Sequence, residues 1–271
     1  MRTTSELPID LANPINWLHP QAKAMLGFWK YVPGLAGGLY LHDLTNPGSN
    51  GRHGQLTNGP TWSGALGRSG GYGCLSYAGA SDYVPIPSSL FGGLSGSIAS
   101  VLMWIRPSSV GAYETLFDAG TSSTTRQLSA FLGGAANRLF VAVAGSAGNE
   151  AVLSDSWVVN EWQHLGIKSD GTTVTVYRNG ENIGTIASAV GAGFTAGEWQ
   201  IHGNPTTGGA NYNGQSDEII VSSHALPDSE FAAFYELSRR SFPGLINRLR
   251  MPLSAAAAGA RQSTLSLMGV G

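Results

Sequence analysis

Two pairs of carboxylates have the residue types that acid–base chemistry requires. Asp217 and Glu218 are adjacent, and Glu114 lies four positions before Asp118. Hydrolysis of a glycosidic bond uses two carboxyl groups about 5–10 Å apart. Neighbouring side chains on a strand point to opposite faces, and positions four apart are separated by about 13 Å. We therefore expect no catalytic pair at either place, and we predict that the chain is not an enzyme.

Other chemistries lack their usual sequence patterns. The glycines never precede Lys-Ser or Lys-Thr, as they do in a phosphate-binding loop. No Cys or His spacing is typical of a zinc site. Cys74 is the single cysteine, so no internal disulfide is possible, and its apolar surroundings predict a buried small side chain.

Composition limits the partners that this chain can attract by charge. The 271 residues are 42% hydrophobic and 12% charged, and the net charge is -2. We therefore expect neither nucleic acid nor an anionic membrane as a partner. Residues 1–20 lack the basic and apolar regions of a signal peptide, which predicts synthesis in the cytoplasm without export by the common route. No apolar run approaches the ~20 residues of a membrane-spanning helix.

Short alternating segments bounded by turn residues predict the fold. Asp170-Gly171 and Asn179-Gly180 separate segments rich in Val, Ile, Thr and Tyr with a period of two. Such dipeptides supply the positive φ angles of tight hairpin turns. More segments of about six residues occur between 98 and 154, a spacing typical of a β-sandwich. The sequence predicts an all-β fold with two stacked antiparallel sheets.

Residues outside the predicted sandwich suggest a helix and two extended arms. Residues 227–239 have helical apolar spacing, with Pro227 and Asp228 at the expected start. We divide the chain into an N-terminal arm at 1–21, a sandwich at 22–238 and a C-terminal extension at 239–271. The end of that extension is rich in small residues and has one charge, at Arg261. A tail that docks on a neighbouring subunit fits this composition, and simple disorder is the alternative.

Several motifs in order resemble one family. They are Leu26-Gly27-Phe28-Trp29, the 43–54 loop, the 75–84 segment, Met103 to Pro107, the W-x-H motif at 162–164, the D-G-x-x-V-x-V-Y-x-N-G motif at 170–180 and the N-G-x-x-D-E-I motif at 213–219. Together they resemble the LamG-like, concanavalin A-type jelly roll over about residues 22–238. The resemblance implies a sandwich used mainly for recognition, although the same fold class also includes glucanases.

The resemblance implies structural roles for most motif residues. Three aromatic residues are expected to fill the core between the sheets: Trp104, Trp162 and Tyr177. His164 is expected to be a hydrogen-bonded structural residue and not a ligand. Asp217 and Glu218 are expected to point to opposite faces, with the buried one paired, because an unpaired buried carboxylate is costly.

Calcium is the one cofactor that the resemblance suggests. Many relatives bind this ion through Asp, Asn and loop carbonyl oxygens, which suit a hard cation. The candidate ligands here are Asp43, Asn46, Asn50 and Asp217. The alternative for Asp43 is that its side chain caps a turn.

A sugar site is the other prediction. Lectins bind sugars on an aromatic platform flanked by polar side chains. The candidates lie in or near the glycine-rich loop 203–214: Trp199, His202, Asn211, Tyr212, Asn213 and Gln215. A sugar site would require this loop to present Tyr212 to solvent, and the alternative, which we favour for each named residue, is a flexible hairpin connection with an incidental tyrosine.

These features lead to three functional hypotheses. The first is a non-enzymatic structural or decoration protein of a bacteriophage virion, because the sequence has low charge, an apolar C-terminal tail and no signal-peptide pattern, and because the extension past the sandwich resembles those of phage jelly-roll proteins. Its arms would contact other virion subunits in an oligomeric assembly. The second is a carbohydrate-binding adhesion module on a phage or bacterial cell surface. The least favoured is a glycan hydrolase.

Overall fold

The fold is described from a computed structural model of the chain. The structure describes residues 24–30, 38–45, 51–64, 66–68, 73–79, 81–89, 98–110, 113–120, 126–133, 138–143, 150–187, 198–203 and 211–239. These residues belong to one compact unit that spans Ala24–Phe242. The predicted N-terminal arm at 1–21 lies outside the described residues, as does the predicted C-terminal extension at 239–271 except for Arg239, which ends the helix.

The described residues form short strands followed by one helix. The elements are β1 (Met25–Trp29), β2 (Tyr40–Leu41), β3 (Gly54–Gln55), β4 (Thr61–Ser63), β5 (Cys74–Ala78), β6 (Val84–Ile86), β7 (Ile98–Pro107), β8 (Glu114–Gly120), β9 (Arg126–Gly133), β10 (Arg138–Val143), β11 (Glu150–Ser156), β12 (Gln163–Asp170), β13 (Val174–Arg178), β14 (Glu181–Ile186), β15 (Glu198–Ile201), β16 (Asn213–Ser222) and α1 (Asp228–Arg239). The helix matches the predicted segment, and its first turn carries Asp228 and Glu230.

Two antiparallel sheets carry the fold. The larger, eight-stranded sheet has the order β14-β13-β12-β7-β16-β5-β4, and β1 also pairs with β16. The smaller, six-stranded sheet has the order β11-β10-β9-β8-β15-β6. A separate two-stranded sheet joins β2 and β3. The predicted fold class, an antiparallel jelly-roll β-sandwich with a short helix, is confirmed.

The hairpins that join β12, β13 and β14 form at the predicted turns. Asn179 and Gly180 have φ angles of 53° and 84°, the left-handed values that a tight two-residue turn requires. In the preceding turn the Asp170 carboxylate accepts hydrogen bonds from the amides of Thr172 and Thr173 at 2.9 and 2.7 Å. Local sequence therefore sets the register of this three-stranded meander.

Alternation along β7 separates the two faces of the larger sheet. Its inward residues belong to the buried core between the sheets: Ala99, Val101, Met103 and Ile105. Large aromatic side chains from elsewhere in the sandwich complete that core, including Trp29, Trp157 and Trp199. Complete burial of so much apolar surface supplies the main favourable term for folding.

The outer face of the larger sheet is covered by α1, and this corrects the predicted core. The Phe231 ring stacks on Tyr177 with centroids 4.0 Å apart. Trp104 donates from Nε1 to Ser238 Oγ at 2.7 Å. Trp104 and Tyr177 therefore lie under the helix and not between the sheets, because both alternate with inward residues on their strands. Trp162 is only half-buried and lies just before β12.

Within the residues that the structure describes, no helix combines the length and the apolar character needed to cross a bilayer.

Candidate functional site

Four charged side chains meet on the outer face of the larger sheet. We call this group the ionic cluster: Lys30, Arg68, Asp217 and Glu218. The Arg68 guanidinium Nη2 lies 2.5 Å from Glu218 Oε2 and 3.4 Å from Asp217 Oδ2. Lys30 Nζ donates to Glu218 Oε1. These side chains are between 3% and 12% exposed, so two cations and two anions are buried together.

A β-bulge brings both carboxylates of the cluster to the same cation. The pairing of β16 with β7 shifts register between Asp217 and Ile220, and Glu218 has a φ of 50°. A bulge inserts one residue without a cross-strand partner and breaks the alternation of faces. The expectation that Asp217 and Glu218 point to opposite faces is therefore wrong. Both are buried, and both contact Arg68.

Glu218 and Lys30 favour their charged forms in the folded protein. Burial alone would raise the pKa of Glu218, but the charges of Arg68 and Lys30 outweigh it, and the pKa is lowered. Burial likewise works to lower the pKa of Lys30, yet the Glu218 and Asp217 carboxylates together outweigh it, and the pKa is raised. A general acid–base catalyst needs a pKa near the working pH, and these shifts move away from it.

The ionic cluster is tied to the end of α1. Arg68 Nη1 donates to the Ser238 carbonyl oxygen at 2.6 Å, and its guanidinium carbon lies 4.4 Å from the Trp104 ring centroid. The His164 ring packs at 5.2 Å from Trp104, but its Nδ1 has no hydrogen-bond partner among the described residues, so the expected hydrogen bond is not seen at that atom. Arg68 thus links the last turn of the helix to β16. This arrangement holds elements together and leaves the carboxylates little open surface.

The second carboxylate pair is divided between the two faces of the smaller sheet. Glu114 lies opposite Leu132 in the β8–β9 register, and Asp118 lies opposite Ser129. Leu132 is part of the core between the sheets, whereas Ser129 alternates with core residues and points outward. A register shift within β8 causes this change of face. The two carboxylates therefore cannot flank one sugar.

Both carboxylates are also held by protein donors. Glu114 accepts hydrogen bonds from Ser109 Oγ at 2.7 Å and from the Asn213 amide at 3.3 Å. Asp118 accepts one from Ser129 Oγ at 2.5 Å. Each carboxylate is buried, so these bonds replace contacts with water that folding removes.

The six predicted sugar-binding residues are brought near the β8–β15–β16 region, but most are covered. Five are buried, namely Trp199, His202, Asn211, Tyr212 and Gln215, and Asn213 is half-buried. The Tyr212 ring stacks on His202 with centroids 4.3 Å apart, and its hydroxyl donates to the Gln215 carbonyl oxygen at 3.1 Å. Tyr212 does not face solvent, because its ring belongs to the core, and this agrees with the favoured alternative of an incidental tyrosine.

The remaining members of this set have structural neighbours. The Trp199 ring stacks on Phe117 with centroids 5.5 Å apart. Gln215 Oε1 accepts a hydrogen bond from Arg106 Nη1 at 2.7 Å. A sugar ring cannot stack on Trp199 or Tyr212 while they are fully covered. Binding by the other residues of the set stays a prediction, and residues 204–210 of the loop lie outside the described ranges.

Two buried histidines make stability depend on pH. Burial lowers the pKa of His202 from 6.5 to about 3, and burial with nearby Arg68 does the same for His164. Above pH 6.5 both rings are neutral whether folded or unfolded. Below it the unfolded chain binds protons first, so the free energy of unfolding falls as the pH drops from 6.5 towards 3.

We expect this loss in chemical denaturation measured at intervals between pH 7 and pH 4.5. His202→Phe keeps an aromatic ring between its neighbours and removes one titrating group. For this variant, the plot of unfolding free energy against pH should therefore be less steep, by up to the contribution of one bound proton. An unchanged slope would show that His202 is protonated in the folded protein.

Asp43 has the properties of a turn cap. It is fully buried and accepts hydrogen bonds from the amides of Phe28, Thr45 and Arg52 at 3.2, 2.9 and 3.2 Å. The Thr45 hydroxyl adds a bond at 2.6 Å. The backbone amide of Asp43 donates to His53 Nδ1 at 3.0 Å. The structure supports the capping alternative, because the donors that surround this carboxylate already use both oxygens.

The other predicted calcium ligands are not gathered around Asp43 in the described ranges. Asp217 belongs to the ionic cluster, and Asn46 and Asn50 lie outside the described residues. Among the described side chains, no group of three or more His, Cys, Asp or Glu residues could hold a metal ion. Calcium binding stays a prediction.

Comparisons with known proteins identify the family. The sequence profile of Laminin_G_3, described as the concanavalin A-like lectin/glucanases superfamily, matches residues 78–232, which is more than half of the chain. The chain belongs to this superfamily. The resemblance seen in the sequence motifs is thereby confirmed. A comparison with curated protein sequences gives no match.

Solved structures of three other proteins share the fold. Domain 4 of AbnA, an extracellular arabinanase from Geobacillus stearothermophilus solved with arabinotriose, has a TM-score of 0.59 and 16% identity, over 78% of this chain and 98% of that one. Trypanosoma rangeli sialidase in complex with sialic acid has a TM-score of 0.63 and 13% identity, over 82% of this chain and 34% of the sialidase chain. The binding domain of botulinum neurotoxin DC, solved in complex with rat synaptotagmin II, has a TM-score of 0.57 and 13% identity, over 81% of this chain and 52% of the neurotoxin chain.

These neighbours define a shared fold among proteins of different activities. The chain spans about a third of the sialidase and nearly all of the arabinanase domain. At such low identity the likeness concerns the fold alone. The lectin/glucanase fold is used by glycosidases and by binding domains, so the activity of this member must be argued from its own residues.

Sequence analysis missed the two cations of the ionic cluster. Lys30 and Arg68 lie 188 and 150 positions from Glu218 along the chain, as their numbers show. No local pattern connects residues so distant. A usable signal is the low content of charged residues in this chain. Two adjacent acidic residues on an apolar strand need buried cations as partners, and the sequence contains few Lys and Arg residues that could supply them.

Proposed function

We propose that this chain is a non-enzymatic recognition domain that binds glycans. The observation that carries the proposal is the state of its buried carboxylates. Asp217 and Glu218 are paired with Arg68 and Lys30, and Asp118 is hydrogen-bonded to Ser129. A hydrolase needs one free carboxylic acid and one free carboxylate on either side of the scissile bond.

The structural neighbours support a saccharide as the ligand. Domain 4 of the arabinanase was solved with arabinotriose, and the sialidase was solved with sialic acid. The neurotoxin neighbour is a binding domain, which supports recognition without catalysis as a use of this sandwich. A rigid two-sheet body suits this task, since little conformational entropy is lost when a preformed surface binds.

A glycan array tests the proposal directly. The full chain, labelled at its amino groups, is applied to immobilised plant, bacterial and animal glycans with and without calcium. We expect selective retention of at least one saccharide class. A gain of retention with calcium would support the predicted calcium binding, and equal retention would show that glycan binding does not need this ion. No retained glycan under either condition would remove the function.

We further propose a setting for this recognition domain, which is a bacteriophage virion, with a bacterial cell surface as the alternative. The support is the sequence on either side of the sandwich. Residues 1–21 are polar and rich in proline, and residues 251–271 are small and apolar with one charge. Segments of this kind suit arms that dock on other subunits. A decoration protein can also bind glycans, so the two proposals are compatible.

Native mass spectrometry tests the proposed assembly role. The full chain is compared with a variant that lacks residues 251–271. We expect the full chain to form oligomers and the shortened chain to lose them. Identical monomeric spectra would contradict assembly through the C-terminal extension, without bearing on glycan binding by the sandwich.

A further inference from the structure

An exposed tyrosine stands at the start of β8 in an unusual backbone conformation. Tyr113 has a φ of 60°, which is the left-handed region that bulky side chains rarely adopt. Its side chain is 47% exposed. Strained backbone and exposed aromatic surface are both unfavourable for folding, and such strain is concentrated at functional sites. Tyr113 is therefore a candidate for a binding role.

The Tyr113 ring is held against a second aromatic ring. Its centroid lies 5.1 Å from that of Phe140, with an angle of 53° between the rings. Phe140 is half-buried in β10, opposite Phe131 of β9, and Phe131 is in turn opposite Thr115 of β8. The rings therefore lie on the outer face of the smaller sheet. Tilted rings at this distance make a favourable pair and present a broad apolar surface.

A positive charge lies beside this aromatic pair. Arg138 precedes Phe140 by two positions, and the residue between them, Leu139, points into the core. Arg138 and Phe140 therefore share the outer face of the sheet, with roots about 7 Å apart. The Arg138 side chain is exposed to solvent.

We propose that Tyr113, Phe140 and Arg138 form a binding site for an acidic oligosaccharide. The apolar C–H face of a sugar ring packs on the electron-rich face of an aromatic ring. A guanidinium binds a carboxylate through two parallel hydrogen bonds, which gives preference for sugars that carry this group. This inference rests on the proposed function, glycan recognition, and specifies where and which class of glycan the domain binds.

The chain supplies a matched control for this site. Tyr40 is also 47% exposed, but it lies in the β2–β3 sheet, apart from β8 and β10. Tyr40→Ala removes the same side chain from a surface of equal exposure. A second variant, Tyr113→Gly, removes the ring and relieves the backbone strain, because glycine adopts positive φ readily. It should melt no lower than the unmodified protein while losing binding.

The test measures binding to charged glycans and to their uncharged counterparts. The probes are polygalacturonate, its fully methyl-esterified form, sialyllactose and lactose, titrated by calorimetry. We expect the unmodified chain to bind an acidic probe and to bind its neutral counterpart at least ten-fold more weakly. Tyr113→Ala and Tyr113→Gly should weaken binding at least ten-fold, Arg138→Gln should remove the preference for the acid, and Tyr40→Ala should change nothing.

The possible failures are distinguishable. Binding that persists in Tyr113→Ala, or that is lost in Tyr40→Ala, would overturn this site and leave glycan recognition in place. Equal binding of acidic and neutral probes that is unaffected by Arg138→Gln would overturn the acidic class. If the unmodified chain bound no glycan here or on the array, the proposed function would fail together with this inference.

Discussion

Replacement of Arg68 by methionine is expected to destabilise the protein by about 3–5 kcal/mol, which is the typical cost of removing one partner of a buried ion pair. The guanidinium contacts both Asp217 and Glu218 and also bonds to the Ser238 carbonyl oxygen. Its loss leaves two buried carboxylates with Lys30 as the remaining cation of the cluster. Urea denaturation of the variant and the unmodified protein measures the difference.

Lys168→Met is the matched control for Arg68→Met. Lys168 also pairs with a carboxylate, that of Asp228, but the Asp228 side chain is 65% exposed. Ion pairs in contact with solvent contribute about 0–1 kcal/mol. The control should therefore remain within that range. Equal effects of the two substitutions would show that the ionic cluster is hydrated, and would contradict its burial.

Phe231→Ala is the other substitution with a large expected effect. The Phe231 ring is fully buried, stacks on Tyr177 and fills the space above Gly166, where an added Cβ would lie 2.4 Å from the ring. Truncation of a buried phenylalanine to alanine costs about 3–5 kcal/mol. It also removes the main apolar contact between α1 and the larger sheet. Thermal and urea denaturation check the size of the effect.

Hydrogen exchange separates the local from the global effect of this change. Phe231→Ala should raise exchange in α1 and in the covered strands β12 and β13 more than in the smaller sheet, because the helix packs on the former. Phe231→Leu keeps most of the buried volume and should lose much less stability. Uniform exchange across both sheets would show that the helix is not a separate cover.

The parts of the fold that local residues specify could be predicted from the sequence. Asn179-Gly180 and Asp170-Gly171 form the predicted hairpins because their turn conformations depend on few neighbours. The start of α1 follows in the same way from Pro227 and Asp228. These signals act within a few residues, so no knowledge of tertiary packing is required.

The geometry of the carboxylates could not be predicted, because it depends on the register between distant strands. A bulge at Glu218 is visible only once β16 is aligned with β7, and the shift within β8 only once that strand is aligned with β9. Each shift reverses the face on which a carboxylate lies. The alternation of side chains along a strand predicted that Asp217 and Glu218 point to opposite faces of the sheet. The bulge instead brings both carboxylates into contact with Arg68.

Burial of Tyr212 has a similar origin. A glycine-rich loop precedes this residue, and polar residues surround it in the sequence, so composition favours an exposed ring. The fold places Tyr212 between the sheets, where it stacks on His202. Sequence gave no comparable signal for Tyr113, since its exposure and positive φ become apparent only in three dimensions.

Proton NMR of a retained glycan incubated with the protein is the measurement that tests recognition without catalysis most directly. We expect broadened glycan signals from binding, with no new reducing-end anomeric signal over several days. It also predicts the same outcome for Glu218→Gln and Asp118→Asn, apart from any loss of stability. Appearance of reducing ends at a rate that either substitution abolishes would contradict the account, because a carboxylate assigned here to structure would then be performing hydrolysis.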